Sequence, residues 1–282
     1  MKTLVLTLSC ADRMGIVAAV GSAIAAQGGN IVESGQYVDR ENGRFFMRVC
    51  CEVEESGSLE AFRKGFSPVG AEYSMRWEVH DAAVKPRVMI MVSQQGHCLN
   101  DLLYRHGTGQ LPMELTSILS NHDTFRRRAE HEGVPFHHLP VTAASKAEQE
   151  AKLLELIREQ RVDLVILARY MQILSDDLSK ALSGRVINIH HSFLPSFKGA
   201  RPYHQAHKRG VKLIGATAHY VTAALDEGPI IEQDVQRVDH SMTAEDMAAI
   251  GRDTECQVLA RAVRLHLEHR VLLNDDRTVV FH

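Results

Sequence analysis

The stretch YSMRWEVHDAAVKPRVMIMV, Tyr73–Val92, changes pattern midway, and that change decides the fold. Tyr73–Val79 alternates apolar and polar side chains with period two, as a strand with one buried face should. Arg87–Val92 (RVMIMV) is instead a short, nearly unbroken apolar run, the pattern of a strand buried on both faces. Val79–Pro86 (VHDAAVKP) between them has no period and ends in a proline, so it reads as the linker. Two domains are therefore expected, residues 1–80 and 87–282, joined by residues 81–86.

Upstream of the linker, Lys2–Leu8, Asn30–Val38 and Arg44–Val53 have strand character. Met14–Ala26 is a small-residue helix that stops at Gln27-Gly28-Gly29, with Asp12 placed to cap its start, and Ser58–Phe66 is a second helix. This βαββαβ order predicts a ferredoxin-like sandwich, two helices on one face of an antiparallel sheet. Downstream, strands at Arg87–Val92, Asp163–Ala168, Arg185–Ile189 and Leu213–His219 alternate with helices at Leu99–Tyr104, Lys146–Arg161 and Thr243–His266. That alternation predicts an α/β, Rossmann-like domain with a mostly parallel sheet, whose site lies at the strands' carboxyl ends.

Composition narrows the function. The 282 residues are 45% apolar and 24% charged, ordinary values for a globular protein. Lys and Arg total 32 against 35 Asp and Glu, with no long basic run, so neither a nucleic-acid nor a membrane-surface partner is expected. The five cysteines, Cys10, Cys50, Cys51, Cys98 and Cys256, are odd in number and lack a C-x-x-C, which argues against a disulfide scaffold or a zinc ribbon. The apolar run after Met1-Lys2 is about six residues, short of the roughly 7–15 of a secretion signal. Nothing approaches the roughly 18-residue apolar run of a membrane span, and a cytoplasmic protein is expected. The 16 histidines are the odd feature, and they point to an enzyme.

The opening residues resemble a known module. Cys10-Ala-Asp12-Arg13-x-Gly15-Ile16-Val17, followed by Gly28-Gly29-Asn30-Ile31, is similar to the start of ACT domains. The resemblance implies a regulatory module, an amino-acid effector as a possible ligand, and pairing of copies into a homo-oligomer. A domain used for oligomerisation alone fits the same residues.

Two strand ends carry the candidate chemistry. In Arg185-Val-Ile-Asn188-Ile-His190-His191-Ser192, period two places Asn188 and His190 on one side of the chain, and His191 on the other if the strand persists. The second end runs from His219 to Asp226-Glu227-Gly228-Pro229, an acid on a loop after a buried strand. Three readings are open from these residues alone. They are a hydrogen-bonded strand end with an unrelated turn, a hydrolytic metal site, and a metal-free triad. In the triad His190 moves a proton, Asp226 orients it and the Asn188 amide donates to an oxyanion. The metal reading lacks a same-face His-x-His pair and a helical HExxH.

The combined pattern Asn188-x-His190-x-Ser192-x-Leu194-Pro195-x-Phe197-x-Gly199, then His219 and Asp226-x-Gly228-x-Ile230-Ile231, resembles the signature of folate-dependent formyltransferases. Leu167–Leu174 (LARYMQIL) is similar to that family's folate-binding loop. The resemblance implies 10-formyltetrahydrofolate as the formyl donor, bound near Met171, Gln172, Ile173, Leu174, Val221, Leu225 and Gly228, with catalysis by Asn188, His190 and Asp226. Where members that formylate a ribonucleotide carry a Gly-rich phosphate cradle, Ser93–Leu103 (SQQGHCLNDLL) has one glycine. With no evident amine acceptor, water is the expected nucleophile, as in the hydrolytic branch of that family. The ACT-like domain ahead of the catalytic one extends that likeness to the whole chain. The expected activity is hydrolysis of the formyl folate to tetrahydrofolate and formate, with no cofactor and no metal. His219, Ser192, His97 and Cys98 are expected as supporting residues. Formyl transfer to a small amine and a non-catalytic formylfolate sensor are the alternatives.

Overall fold

The computed structural model describes residues 1–54, 59–194 and 202–282, whose contacts separate into two units. Ser58 and the motif residues Pro195–Gly199 lie outside the described residues. The first unit takes Met1–Lys85 with Glu268–Asn274 and Val279–His282; the second takes Pro86–Leu267 and Asp275–Thr278.

In the first unit, β1 (Lys2–Ala11), α1 (Ile16–Ala25), β2 (Asn30–Asp39), β3 (Arg44–Val53), α2 (Leu59–Glu72) and β4 (Arg76–Asp81) follow the expected βαββαβ order. Among the described residues the strands form one antiparallel sheet, β2-β3-β1-β4. Leu4, Leu6 and Leu8 alternate onto the helical face of β1 and meet Ile16, Val20 and Ile24, which recur every fourth residue along α1. The chain turns at Gly28, where the N–H groups of Gly29 and Gly28 donate to the carbonyls of Ile24 and Ala25. Asp12 is not the cap. Gly15 occupies that position without a side-chain bond, and the Asp12 N–H donates to the Gly43 carbonyl at 2.8 Å.

Helix α2 runs past the expected end at Phe66, straight through Pro68. Proline removes one N–H donor and crowds the preceding turn. Phe62, Phe66 and Gly70 nevertheless hold one buried face, and Phe66 meets Trp77 edge-on with ring centroids 4.9 Å apart. The following strand starts three residues later than its alternation suggests. Tyr73–Met75 are used to close the helix, with the Met75 N–H donating to the Gly70 carbonyl and Ser74 in the left-handed region.

The second unit runs β5 (Arg87–Val92), α3 (His97–Gly107), β6 (Glu114–Ser120), α4 (Arg126–His131), β7 (Phe136–His138), α5 (Lys146–Glu159), β8 (Leu164–Leu167), α6 (Asp176–Ala181), β9 (Val186–His190), α7 (Pro202–Arg209), β10 (Leu213–Tyr220), β11 (Ile230–Arg237) and α8 (Ala244–Leu267). Its sheet order among the described residues is β11-β10-β9-β8-β5-β6-β7. Strands β5 to β9 are parallel, whereas β10 runs antiparallel to both β9 and β11. The expected strand Leu213–His219 thus exists but reverses the sheet. Its side chains from Ile214 to Tyr220 are buried on both faces, and such a run does not encode direction.

The sheet order turns back between β5 and β8, which opens a crevice at their carboxyl ends. There the Ser93 N–H donates to the Arg169 carbonyl at 3.2 Å, and the Met171 N–H donates to Ser93 Oγ at 2.9 Å.

The last residues pair as β12 (Val271–Asn274) and β13 (Arg277–Val280). Within the first unit, Arg270 and Arg48 both clasp Glu33, at 2.8 and 2.9 Å, and Asn274 donates to Asp39 at 2.7 Å. All five cysteines are free.

Trp77 is the chain's only tryptophan, so its fluorescence reports on the first unit alone. Phe66→Ala should move the Trp77 unfolding transition to lower urea by an amount equivalent to about 3–5 kcal/mol. A shift under about 1 kcal/mol would show that Phe66 does not anchor α2.

Candidate active site

Strand β9 ends with Asn188 and His190 on one side and Ile187 and Ile189 on the other, all but Asn188 buried. Because β10 is antiparallel, His219 lies opposite Asn188 and Thr217 opposite His190. Residues opposite each other in an antiparallel pair share a face, so this register sets His219 beside Asn188. The His219 Nδ1–H donates to the Tyr220 carbonyl at 2.9 Å, leaving Nε2 to accept from Asn188 Nδ2 at 3.2 Å.

The acid loop returns tightly from β10, with the Tyr220 N–H donating to the Pro229 carbonyl at 2.9 Å. A side chain at Gly228 would put its Cβ 1.8 Å from the Tyr220 carbonyl oxygen, so glycine is required for this approach. Asp226 sits in the left-handed region with φ 56°, a conformation that a non-glycine residue keeps only when its surroundings impose it. The result is a carboxylate between two imidazoles. Asp226 Oδ2 is 3.2 Å from His190 Nδ1, and Oδ1 is 3.7 Å from His219 Nε2. Burial pushes the Asp226 carboxyl upward, but its pairing with His190 and then the nearby His219 imidazole outweigh that and hold the group well below the usual carboxylate range.

His191 departs from the expectation that it turns away from His190. The strand ends at His190, and the two rings stack with centroids 5.0 Å apart. Burial first, and then the positive charges of Arg169 and His190, push His191 down to about 4.

These groups form the floor of a cleft of about 340 Å³. Its wall includes Met171, Gln172, Ile173, Leu174, Val221 and Leu225, all expected from the sequence. Met171, Ile173 and Leu225 are more than half exposed, so the cleft presents bare apolar side chains above a polar floor. Gly228 does not line the cleft; it packs beneath the acid loop. Ser192 is buried, and its carbonyl accepts from Thr217 Oγ1 at 3.0 Å.

His97 and Cys98 belong to a second polar cluster built around Glu255, a residue the sequence reading passed over. Glu255 is 1% exposed, with Oε2 2.7 Å from His97 Nε2 and 3.4 Å from Arg169 Nε, while Tyr203 Oη donates to Oε1 at 2.7 Å. Burial pushes its carboxyl up, but His97, Arg169 and Tyr203 together hold it below the ordinary value. One sequence signal marks this residue. Met247, Gly251, Thr254, Glu255, Val258, Leu259, Ala262 and Val263 form the buried stripe of α8, and Glu255 is the charge inside it. The Cys98 thiol is pushed well up by its hydrogen bond with the Cys256 thiol and by burial, which disfavours a nucleophilic thiolate. The donor atoms of His97, Cys98 and Glu255 lie within 4.8 Å of one another. The arrangement can transfer a proton, donate to a developing oxyanion and hold a flat apolar ligand over both.

The signs give a pH dependence. A carboxyl depressed on folding stabilises the fold above its unfolded value of about 3.9, and that stability is lost as pH falls through the folded value. In a ¹³C-carboxyl NMR titration Asp226 should stay ionised through pH 4, and His190→Ala should raise its midpoint. A wild-type midpoint at or above 3.9 would contradict the pairing.

Comparison with known proteins places these features. Residues 86–263 match the formyl transferase family and residues 4–64 the ACT domain family. The formyltetrahydrofolate deformylase of Corynebacterium sp. strain P-1 is 51% identical over 98% of this chain and 97% of its own. The solved structure of formyltetrahydrofolate deformylase from Burkholderia mallei superposes with a TM-score of 0.96 at 51% identity, covering 100% of both chains. Glycinamide ribonucleotide transformylase 1 from Symbiobacterium toebii matches 70% of this chain and 95% of its own, with a TM-score of 0.66 at 33% identity.

Proposed function

This chain belongs to the formyltetrahydrofolate deformylase family, and on that premise we propose that it hydrolyses 10-formyltetrahydrofolate to tetrahydrofolate and formate with Asn188, His190 and Asp226 as its catalytic residues. The observation that carries the assignment is the His190–Asp226 pair at 3.2 Å on the floor of an apolar-walled cleft. Asp226 engages Nδ1 of His190, so Nε2 is the ring atom left to face a substrate. That nitrogen is buried and has no hydrogen-bond partner among the described residues.

The formyl group is a formamide. Attack by water gives a tetrahedral oxyanion, and N10 must accept a proton to leave. Asp226, ionised throughout the neutral range, orients His190 and helps align the water. One N–H of the Asn188 amide is fixed on His219 and the other remains for the oxyanion, where such a donor is worth about 10²–10³ in rate. Met171–Leu174, Val221 and Leu225 supply the apolar surface for the pterin. The reading is metal-free. Both oxygens of Glu255 are engaged by His97, Tyr203 and Arg169, and the guanidinium opposes a cation there.

The first unit is an ACT domain, a module with a general role in binding effectors. Within this reading its ligand is an amino acid and copies of the chain pair through its sheet. No helix among the described residues is long and apolar enough to cross a membrane.

Formate release from 10-formyltetrahydrofolate should proceed without any amine, and Asp226→Asn and His190→Ala should each lower it at least about 10²-fold with unchanged circular dichroism. Loss of the formyl group only when an amine is added would indicate transfer instead. Titrating single amino acids should change the turnover or the melting temperature with at least one of them. Twenty flat titrations would remove the effector role.

A further inference from the structure

Arg169 follows β8 at the crevice, in the left-handed region with φ 65°. A non-glycine residue is strained there, and such strain concentrates at binding sites. Its side chain lines the same cleft as His190 and Asp226 and is nine-tenths buried. Nη2 donates to Gln95 Oε1 at 3.0 Å. Glu255 Oε2, 3.4 Å from Nε, balances the charge, but the contact does not meet hydrogen-bond geometry. Nε and Nη1 are buried with no hydrogen-bond partner among the described residues. A guanidinium can only donate, so what it lacks is an acceptor, and charge-assisted bonds to carboxylates are the strong ones.

Glu255 offsets part of the Arg169 charge, and the donors it leaves unpartnered still require an acceptor. His191, stacked on His190, stands within the field of Arg169 and is neutral, so it adds no competing positive charge. The cation also disfavours an ammonium or a metal ion in this part of the cleft. The one small anion that arises inside the cleft is the product. Water adds its oxygen to the formyl carbon, the bond from that carbon to N10 breaks, and N10 takes up a proton. The formic acid so formed loses a proton. The net change is 10-formyltetrahydrofolate plus water to tetrahydrofolate, formate and one proton.

We propose that Arg169 forms a formate subsite, its guanidinium receiving the carboxylate released at His190 before it leaves the cleft. The identity of the anion rests on the deformylase reading; the free donors of Arg169 do not. Gln95 is a positioning residue that holds the guanidinium from its other edge.

The test uses the full-length protein with sodium formate and, as the neutral isostere, formamide. Formate should inhibit turnover and raise the melting temperature, and equal concentrations of formamide should do neither. Arg169→Gln should raise the inhibition constant for formate about tenfold or more and abolish the thermal shift. Arg169→Lys, which keeps the charge, should recover part of both, and Gln95→Ala should weaken formate several-fold. The lysine and Gln95 variants decide the matter if Arg169→Gln does not fold. Equal inhibition by formate and formamide would overturn the subsite, as would an unchanged formate constant in Arg169→Gln and Gln95→Ala. A fall in kcat/KM with no change in formate binding would give Arg169 a different role and overturn it too. If the wild type releases no formate from the folate, the deformylase reading fails, and the thermal shift still reports separately on the subsite.

Discussion

The antiparallel register between β9 and β10 is the constraint on which the site depends. That register fixes which side chains share a face of the sheet, and a slip of one residue would turn His219 away from Asn188. Here the antiparallel pair sets Asn188 opposite His219, and a bulge at Ala218/His219 precedes the tight return to β11. The return is so close that only glycine fits at position 228, and Asp226 is carried into a strained conformation between two rings. Backbone geometry, supplied by two strand ends and one turn, does the positioning. The side chains then need few rotatable bonds to meet.

A similar economy governs the buried charge beside it. An ionised carboxylate removed from water is costly unless strong donors replace the solvent. Glu255 gets two, His97 at the start of α3 and Tyr203 on α7, and the positive charge of Arg169 after β8 stands 3.4 Å away. Tyr203 reaches it because α8 has glycine at 251; a Cβ there would lie 2.1 Å from the tyrosine ring. Removing any one of these partners leaves the others to compensate a charge 1% exposed to solvent. The cluster therefore ties the carboxyl end of β8 to two helices, and His191, stacked on His190, stands within the field of its Arg169 and Glu255.

Much of this was legible in the sequence, for reasons that differ by residue. Asn188 and His190 stand out because polar groups interrupt a buried strand with period two, and the Arg87–Val92 run marks a strand buried on both faces. The direction of β10 was hidden, since a doubly buried strand looks the same read either way. The orientation of His191 depended on where β9 stops, and one residue of difference reversed it. Glu255 was visible in principle as a charge on the apolar stripe of α8, but its partners come from positions more than fifty residues away, which no local period can reveal. Helix α2 passes through Pro68 because Phe66 and Trp77 hold its far side, a tertiary contact overriding a local stop signal.

Near-neutral net charge said nothing about the site because each buried carboxylate has its partners within a few ångströms. Asp226 lies between His190 and His219, and Glu255 lies against His97 and the Arg169 guanidinium. Both carboxylates are held below their ordinary range and His191 is pushed down to about 4, so these groups keep one protonation state across neutral pH. Such a floor presents fixed charges and dipoles to a reaction that starts from a neutral amide and creates an anion and a proton. The electrostatic reorganisation that water would undergo at each turnover has already been made in folding the chain, and its cost appears as the strain at Asp226 and Arg169. The apolar wall completes the device by keeping the dielectric low where those charges act.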